Sequence, residues 1–142
     1  MNLTKNFTLD ELTHTDHREL DNTPNALEVE NLQRLAHFLE AVRSALGDKT
    51  VIVNSAFRSA LVNAAVGSKP SSQHTSGCAA DIRVPGMTPD EVVKAIMLSG
   101  LDYDQLIREF DRWTHVSIPT IQGTPARRQA LIIDRTGTRP YS

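Results

Sequence analysis

Much of the fold can be worked out from the stretch Ser72-Gln73-His74-Thr75-Ser76-Gly77-Cys78-Ala79-Ala80-Asp81, which places an imidazole and a carboxylate seven positions apart. Gly77 allows the backbone to turn tightly, and the small and apolar residues from Ala79 to Val84 predict a short buried strand. Such a strand would hold the Asp81 carboxylate in a fixed direction. Because imidazole and carboxylate are both metal ligands, the stretch predicts two members of a metal site.

A third ligand is required, because a catalytic zinc site uses about three protein ligands and leaves one position for water. The chain offers His115 within Trp113-Thr114-His115-Val116-Ser117-Ile118, whose β-branched and aromatic residues predict a strand with one buried face. Leu106 to Phe110 predicts a partner strand, joined to it by a short polar turn at Asp111-Arg112. This hairpin would hold Glu109 near His115, where its carboxylate could move the protons of a peptidase reaction.

The motifs Ser-x-His-x-x-Gly-x-Ala-x-Asp and Trp-x-His-Val-Ser resemble those of the zinc D-alanyl-D-alanine carboxypeptidase family. Its wider group includes L-alanyl-D-glutamate endopeptidases, lysostaphin-type peptidases and the Hedgehog signalling domain. The resemblance extends over most of the chain, from Asn6-Phe7-Thr8 to His115-Val116-Ser117, and is closest to small phage members. It implies one zinc ion per chain, held by His74, Asp81 and His115.

The same resemblance implies roles for residues outside the ligand set. Glu109 would be the catalytic acid and base, six residues before the last ligand. Arg58, in Asn54-Ser55-Ala56-Phe57-Arg58-Ser59, matches the arginine that binds a substrate carboxylate or a polarised carbonyl, a task that suits a guanidinium group. We also expect substrate contacts from the residues that flank the ligands, namely Ser72, Gln73 and Trp113.

Two positions depart from the family pattern. Many relatives carry the catalytic glutamate three residues before the last histidine, where this chain has Arg112; the spacing of Glu109 occurs in other branches. Asp111 is therefore a second candidate base, and the choice depends on the register of the hairpin. Cys78 stands where relatives often have another small or polar residue. We interpret it as a packed side chain, with a thiolate ligand as the alternative.

The remaining pattern predicts an α+β fold, in which a small, mainly antiparallel sheet packs against helices in the manner of the Hedgehog and D-Ala-D-Ala peptidase domains. Capping boxes predict helices after Thr8 and Thr88, and Thr23-Pro24 predicts the start of a long amphipathic helix that ends at Gly47. The other predicted elements are a strand buried on both faces at 50–54, a helix at 59–66, and a last strand at 130–134 before a tail that contains Gly and Pro.

The composition is that of a globular protein. With 142 residues, of which 39% are apolar and 23% are charged, the chain has the size and core content of one domain. A formal net charge of −2 gives no reason to expect a nucleic-acid partner, and a single cysteine excludes an intramolecular disulfide. We therefore expect one monomeric zinc peptidase domain over residues 1–142.

The N-terminus from Met1 to Phe7 lacks the apolar core of a secretory signal, and no run approaches the roughly 18 apolar residues of a membrane span. We therefore expect no signal peptide and no stable membrane association. The protein would remain in the host cytoplasm until it is released to the cell wall or periplasm. A phage endolysin that acts on the stem peptide of peptidoglycan fits this expectation.

The bond that is cut remains open at this stage. Cleavage of L-Ala-D-Glu is preferred, because cutting an internal stem bond dismantles the wall, whereas trimming a terminal residue does not. Removal of terminal D-alanine by a carboxypeptidase is the first alternative. A zinc-containing binding module or a virion structural protein is the non-catalytic alternative, against which the presence of Glu109 argues.

Overall fold

The computed structural model describes all 142 residues and contains four α-helices, a 3₁₀ helix and six strands. The helices are α1 (Leu9–Leu12), α2 (Ala26–Ala45), α3 (Ala60–Ala65), the 3₁₀ helix (Gln73–Ser76) and α4 (Pro89–Ser99). The strands are β1 (Ile52–Ser55), β2 (Ala79–Arg83), β3 (Gln105–Glu109), β4 (Trp113–Ser117), β5 (Gln129–Asp134) and β6 (Gly137–Pro140).

All six strands form one sheet in the order β1-β2-β4-β3-β5-β6. Every neighbouring pair is antiparallel except β3 and β5, which run parallel. This arrangement confirms the predicted α+β fold with a mainly antiparallel sheet packed against helices. None of the helices combines the length and the apolar character that a membrane crossing requires.

Three of the four predicted helix starts are correct, at Thr8, Ser59 and Thr88. Thr8 and Thr88 each accept a hydrogen bond from the backbone three residues later, and the glutamate there completes a capping box. The predicted start of α2 at Thr23-Pro24 is wrong, because the N-cap is Asn25. The Asn25 side chain accepts from the Glu28 amide, and the Asn25 amide donates to the Glu28 side chain, both at 2.8 Å. This capping box sets the start of α2.

Two strand predictions need correction. The strand predicted at 50–54 is β1, displaced by one to two residues, and it is only half-buried because it lies at the edge of the sheet and pairs with β2 alone. The strand predicted at 130–134 is not the last one, because the tail after it contains β6, whose residues are all exposed. Without a buried face, β6 has no apolar alternation by which its sequence could be distinguished from a loop.

The two faces of the sheet have different surroundings, because successive side chains of a strand point to opposite sides. Helix α4 packs against β3 and β4, and α2 packs against α4. Fully buried side chains fill the space between this layer and the sheet: Leu32, Leu35, Leu39, Val42, Ala80, Ile82, Val93, Ile96, Leu106 and Val116. The opposite face of β2, β4 and β3 carries Asp81, His115 and Glu109.

Candidate metal site

The local sequence explains the position of His74. Ser72 begins the 3₁₀ helix, and its hydroxyl accepts a hydrogen bond from the His74 amide at 3.3 Å. Gly77 ends the helix with a φ of +76°, a conformation that favours glycine. A Cβ on Gly77 would lie 3.0 Å from the Glu28 carbonyl oxygen of α2, so the turn also depends on a close approach to that helix.

A backbone carbonyl determines which nitrogen of His74 is available. Nδ1 of His74 lies 2.7 Å from the Ala56 carbonyl oxygen, and because a carbonyl can only accept, Nδ1 carries the proton. This leaves Nε2 as the nitrogen that faces Asp81 and can bind a metal. The ring is buried, so its direction is fixed by packing as well as by this hydrogen bond.

Asp81 and His115 are brought together by strand register. They are direct partners across β2 and β4, and their side chains share one face of the sheet. Asp81 Oδ1 lies 3.1 Å from His115 Nδ1 and 3.3 Å from His74 Nε2. The three side chains, all buried, thus present one nitrogen, one oxygen and one further nitrogen to a common point, with these atoms within 4.8 Å of one another.

This donor set fits a zinc ion. Tetrahedral zinc bonds of about 2.0–2.1 Å place neighbouring ligand atoms about 3.4 Å apart, close to the two distances that Asp81 makes here. Two imidazoles and one carboxylate are also a ligand set found in catalytic zinc sites, which keep a fourth position open. His115 makes its polar contacts through Nδ1. Its other ring nitrogen, Nε2, is buried and has no hydrogen-bond partner.

Asp81 remains ionised in this site. Burial opposes its charge, but hydrogen bonds with His115 and His74 more than offset that effect and hold the pKa of its carboxyl well below the usual range. Its second oxygen, Oδ2, accepts a hydrogen bond from Arg58 Nη2 at 3.1 Å. Asp81 therefore has one oxygen turned to the histidines and the other turned to a guanidinium group.

Glu109 lies beside the three ligands, as the predicted hairpin requires. It pairs with Trp113 at the end of β3, and His115 pairs with Ile107, so Glu109 and His115 share one face. Glu109 Oε1 is 4.0 Å from His115 Nδ1. Burial and then the negative charge of Asp81 raise the pKa of Glu109 above its ordinary value.

The two alternative residues lie away from the ligand atoms. Asp111 follows the end of β3, its side chain is 70% exposed, and it forms an ion pair with Arg108 at 3.0 Å. Cys78 is fully buried, and its sulfur contacts Arg34 Nη2 at 3.7 Å rather than the histidines. Burial raises the pKa of the Cys78 thiol. These surroundings match the interpretation of Cys78 as a packed side chain.

The predicted substrate-binding residues occupy different surroundings. The Arg58 side chain is 13% exposed, and besides Asp81 it donates to Ser55 Oγ at 3.1 Å and to Asn63 Oδ1 at 3.5 Å. Gln73 points away from the ligands and donates to Asp104 Oδ2 at 2.8 Å.

Trp113 is half-buried and lies opposite Glu109 in the sheet. Its indole N–H is close enough to help lower the pKa of Glu109, but it makes no hydrogen bond of normal length. We therefore treat Trp113 as a neighbour of the Glu109 carboxyl rather than as its bonded donor.

Sequence reasoning missed the residues that support the site. The Ala56 carbonyl is a backbone group and has no side-chain signal. Asn63 could have been noticed, because a polar residue within the apolar run Ala60-Leu61-Val62-Asn63-Ala64-Ala65 is unusual unless it is hydrogen-bonded. It is buried and also donates to the Lys69 carbonyl at 2.9 Å, so it connects Arg58 to the loop before the 3₁₀ helix.

Comparison with known proteins agrees with this geometry. No curated protein matches the chain. A family model described as Peptidase M15 matches residues 5–117, a range that contains the three candidate ligands together with Arg58 and Glu109. Because this match covers most of the chain, the protein belongs to the M15 family of metallopeptidases.

Proposed function

We propose that the protein is a zinc-dependent peptidase that hydrolyses a stem-peptide bond of bacterial peptidoglycan, namely the bond between L-alanine and D-glutamate. The observation that carries this proposal is the convergence of His74 Nε2, Asp81 Oδ1 and His115 Nδ1, with Glu109 Oε1 at 4.0 Å from the last of these atoms. Ligands and a neighbouring carboxylate are the parts that hydrolysis of an amide requires.

A zinc ion bound by the three ligands would supply Lewis acidity, which lowers the pKa of water to about 7 and polarises a carbonyl group. The chain itself prepares this site. The Ala56 carbonyl keeps the proton of His74 on Nδ1, and Arg58 holds Oδ2 of Asp81 so that Oδ1 faces the histidines. Both contacts fix ligand direction before substrate arrives.

Glu109 is proposed to carry the proton. Its Oε1 would accept a proton from the attacking water and then donate it to the nitrogen of the leaving amine. A raised pKa suits this double task, because a carboxyl group that holds its proton more strongly is a better base and can still act as an acid. Asp111 is proposed to have no catalytic role, since it is exposed and paired with Arg108.

Arg58 is proposed to bind the substrate while it supports Asp81. The guanidinium group has five N–H donors. Its contacts with Ser55, Asn63 and Asp81 use one donor each, which leaves one N–H on each terminal nitrogen. These donors could bind a substrate carboxylate or the carbonyl oxygen of the bond that is cut.

We also propose the biological setting that the resemblance to phage members implies. The enzyme would act as an endolysin, made in the host cytoplasm and reaching the cell wall during lysis. Its partner would be the stem peptide, and it would act as a monomer.

Mass spectrometry of digested, purified sacculi tests the proposed function. We expect the zinc-loaded protein to create new N-terminal D-glutamate, and Glu109→Gln to create none. Release of free D-alanine would contradict the endopeptidase assignment and favour the carboxypeptidase. Absence of any product from zinc-loaded protein would contradict catalysis and favour the binding module.

A further inference from the structure

A cleft of about 650 Å³ lies beyond the end of β3, the strand that carries Glu109, and has no role in the chemistry described above. Its walls are two turns, residues 110–113 between β3 and β4 and residues 134–136 between β5 and β6. The parallel pairing of β3 with β5 brings these turns together, and the Phe110 amide donates to the Ile133 carbonyl at 2.8 Å. Trp113 lines the cleft and pairs with Glu109 across the sheet, so a peptide that reaches Glu109 could extend into this cleft.

The first turn has a strained backbone. The Arg112 amide donates to the Glu109 carbonyl at 3.0 Å, and both central residues, Phe110 and Asp111, have a φ of +52°. Such hairpin turns favour Asn and Gly, whereas a bulky residue at positive φ is costly. The strained residue exposes an aromatic ring, which is 46% exposed and lies 5.9 Å from the Trp113 ring. Strain of this kind is typical of binding sites.

Two acidic and two basic side chains line the cleft. Both acidic residues form ion pairs with arginines outside the lining: Asp111 with Arg108 at 3.0 Å, which Arg108 combines with a contact to Asp90 at 3.1 Å, and Asp134 with Arg139 at 2.8 Å. Arg112 and Arg135 are exposed and make no side-chain hydrogen bond or ion pair. The cleft therefore presents two free guanidinium groups.

The remaining donor in this wall, the Trp113 indole nitrogen Nε1, is buried and lies close enough to the Glu109 carboxyl to help lower its pKa. It therefore belongs to the surroundings of Glu109 and is not an open donor of the cleft. The unpaired charged groups of the cleft are the two arginines, so the matching ligand is an acceptor with negative charge.

We propose that this cleft binds a carboxylate-bearing residue of the stem peptide next to the bond that is cut. The aromatic ring of Phe110 would pack against the aliphatic part of that residue, while Arg112 and Arg135 bind its carboxylate. This inference rests on the proposed function for the identity of the ligand. It assigns the side-chain carboxylate of the substrate to the two turns, which leaves Arg58 to bind the carbonyl oxygen of the bond that is cut.

The single tryptophan of the chain lies in the cleft, so its fluorescence reports occupancy directly. Two synthetic stem peptides, identical except that their side-chain carboxylates are free or converted to carboxamides, would be titrated into zinc-loaded Glu109→Gln protein. We expect the free carboxylates to bind about tenfold more tightly. Adding Arg112→Gln and Arg135→Gln should bring the ratio of the two dissociation constants close to one.

The matched control replaces Lys5 and Lys49 by Gln, which removes the same charge from exposed residues that lie outside the cleft and make no ion pair. We expect this control to keep the tenfold ratio. The cleft proposal would be overturned if the ratio of the two dissociation constants were the same in the Glu109→Gln protein, in its double arginine variant and in the lysine control. It would also be overturned if Trp113 fluorescence did not respond to either peptide. Failure of the wild-type protein to cut either peptide would instead contradict the proposed function, and the binding ratio would still decide the role of the cleft.

Phe110→Asn separates binding from folding. Asn tolerates positive φ, so we expect this variant to unfold at a higher temperature than the wild type while it binds the carboxylated peptide more weakly. A lower unfolding temperature with unchanged peptide binding would show that Phe110 serves the fold alone.

Discussion

At the scale of single residues, the site depends on how each polar atom is committed. Asp81 directs one oxygen to the histidines and the other to Arg58. His74 contacts the Ala56 carbonyl through Nδ1 and directs Nε2 to Asp81. Glu109 is the nearby carboxylate whose pKa is raised rather than lowered. This difference in environment is the physical reason to assign ligand and proton carrier to two different carboxylates.

Glu109→Gln tests that division of roles. The amide has nearly the same shape but cannot accept and return a proton, so we expect zinc content to be unchanged and turnover to fall by roughly 10²-fold or more. Zinc per chain and peptide hydrolysis would be measured on the same preparation. Asp111→Asn is the matched control and should remain active; a dead Asp111→Asn together with an active Glu109→Gln would reverse the assignment.

Sequence patterns could indicate the candidate ligand residues but not all the groups that support them. His74, Asp81 and His115 carry the side chains that metal chemistry needs, and the strand pattern around His115 was sufficient to place Glu109 beside it. The Ala56 carbonyl could not be predicted, because any residue supplies a carbonyl and only the fold decides which one meets His74.

At the scale of elements, the C-terminal end of the 3₁₀ helix is held against α2. Gly77 allows this contact, since a Cβ there would lie 3.0 Å from the Glu28 carbonyl and 3.1 Å from Leu32 Cγ. Asn31 of α2 strengthens it by donating to the Ser76 carbonyl at 2.9 Å. The helix that carries His74 is therefore positioned by α2 as well as by β2.

Gly77→Ala measures this contact, and Gly86→Ala is its control. Both glycines have positive φ, but a Cβ on Gly86 would meet only open space. We expect Gly86→Ala to lower the free energy of unfolding by about 1–2 kcal/mol through backbone strain alone. Gly77→Ala should cost about 1–3 kcal/mol more, because the methyl group also displaces α2. Equal losses in denaturant titrations would show that the close approach contributes nothing.

The elements that could be predicted are those with a local signal. Thr8 and Thr88 begin helices whose capping boxes are complete within four residues. Asn25 was missed because Thr23-Pro24 offers an equally good local start, and only the capping box with Glu28 decides between them. The edge position of β1 and the existence of β6 depend on strand order, which local patterns do not specify.

At the scale of the whole molecule, Asp104 joins three parts of the chain that are distant in sequence. Its carboxylate accepts from Gln73, next to the ligand His74, and from both the backbone and side chain of Arg127. Arg127 lies near the end of the loop between β4 and β5, and Pro119 lies near its beginning. Arg34 of α2 donates to the Pro119 carbonyl at 3.1 Å. The loop between β4 and β5 is thus fastened at both ends to the body that carries the site.

The Asp104 network should make stability depend on pH in acid. Hydrogen bonds with Arg127 lower the pKa of Asp104 to about 2, below its ordinary 3.8. A depressed folded pKa stabilises the protein above the unfolded pKa, and this contribution, about 2 kcal/mol, is lost as pH falls from roughly 4 to 2. We expect Asp104→Asn to be less stable than wild type at pH 7 and to approach it near pH 2. A constant difference across this range in denaturant titrations would contradict the linkage.

The most direct test of the account is the zinc content of purified protein and two ligand variants. We expect one zinc per chain in the wild type, and loss of that zinc in both His74→Ala and His115→Ala, while circular dichroism shows that each variant is folded. His14→Ala is the control, because that exposed histidine lies outside the ligand cluster. We expect the His14→Ala protein to keep its zinc. A full equivalent of zinc in folded His74→Ala or folded His115→Ala would show that the metal is held elsewhere.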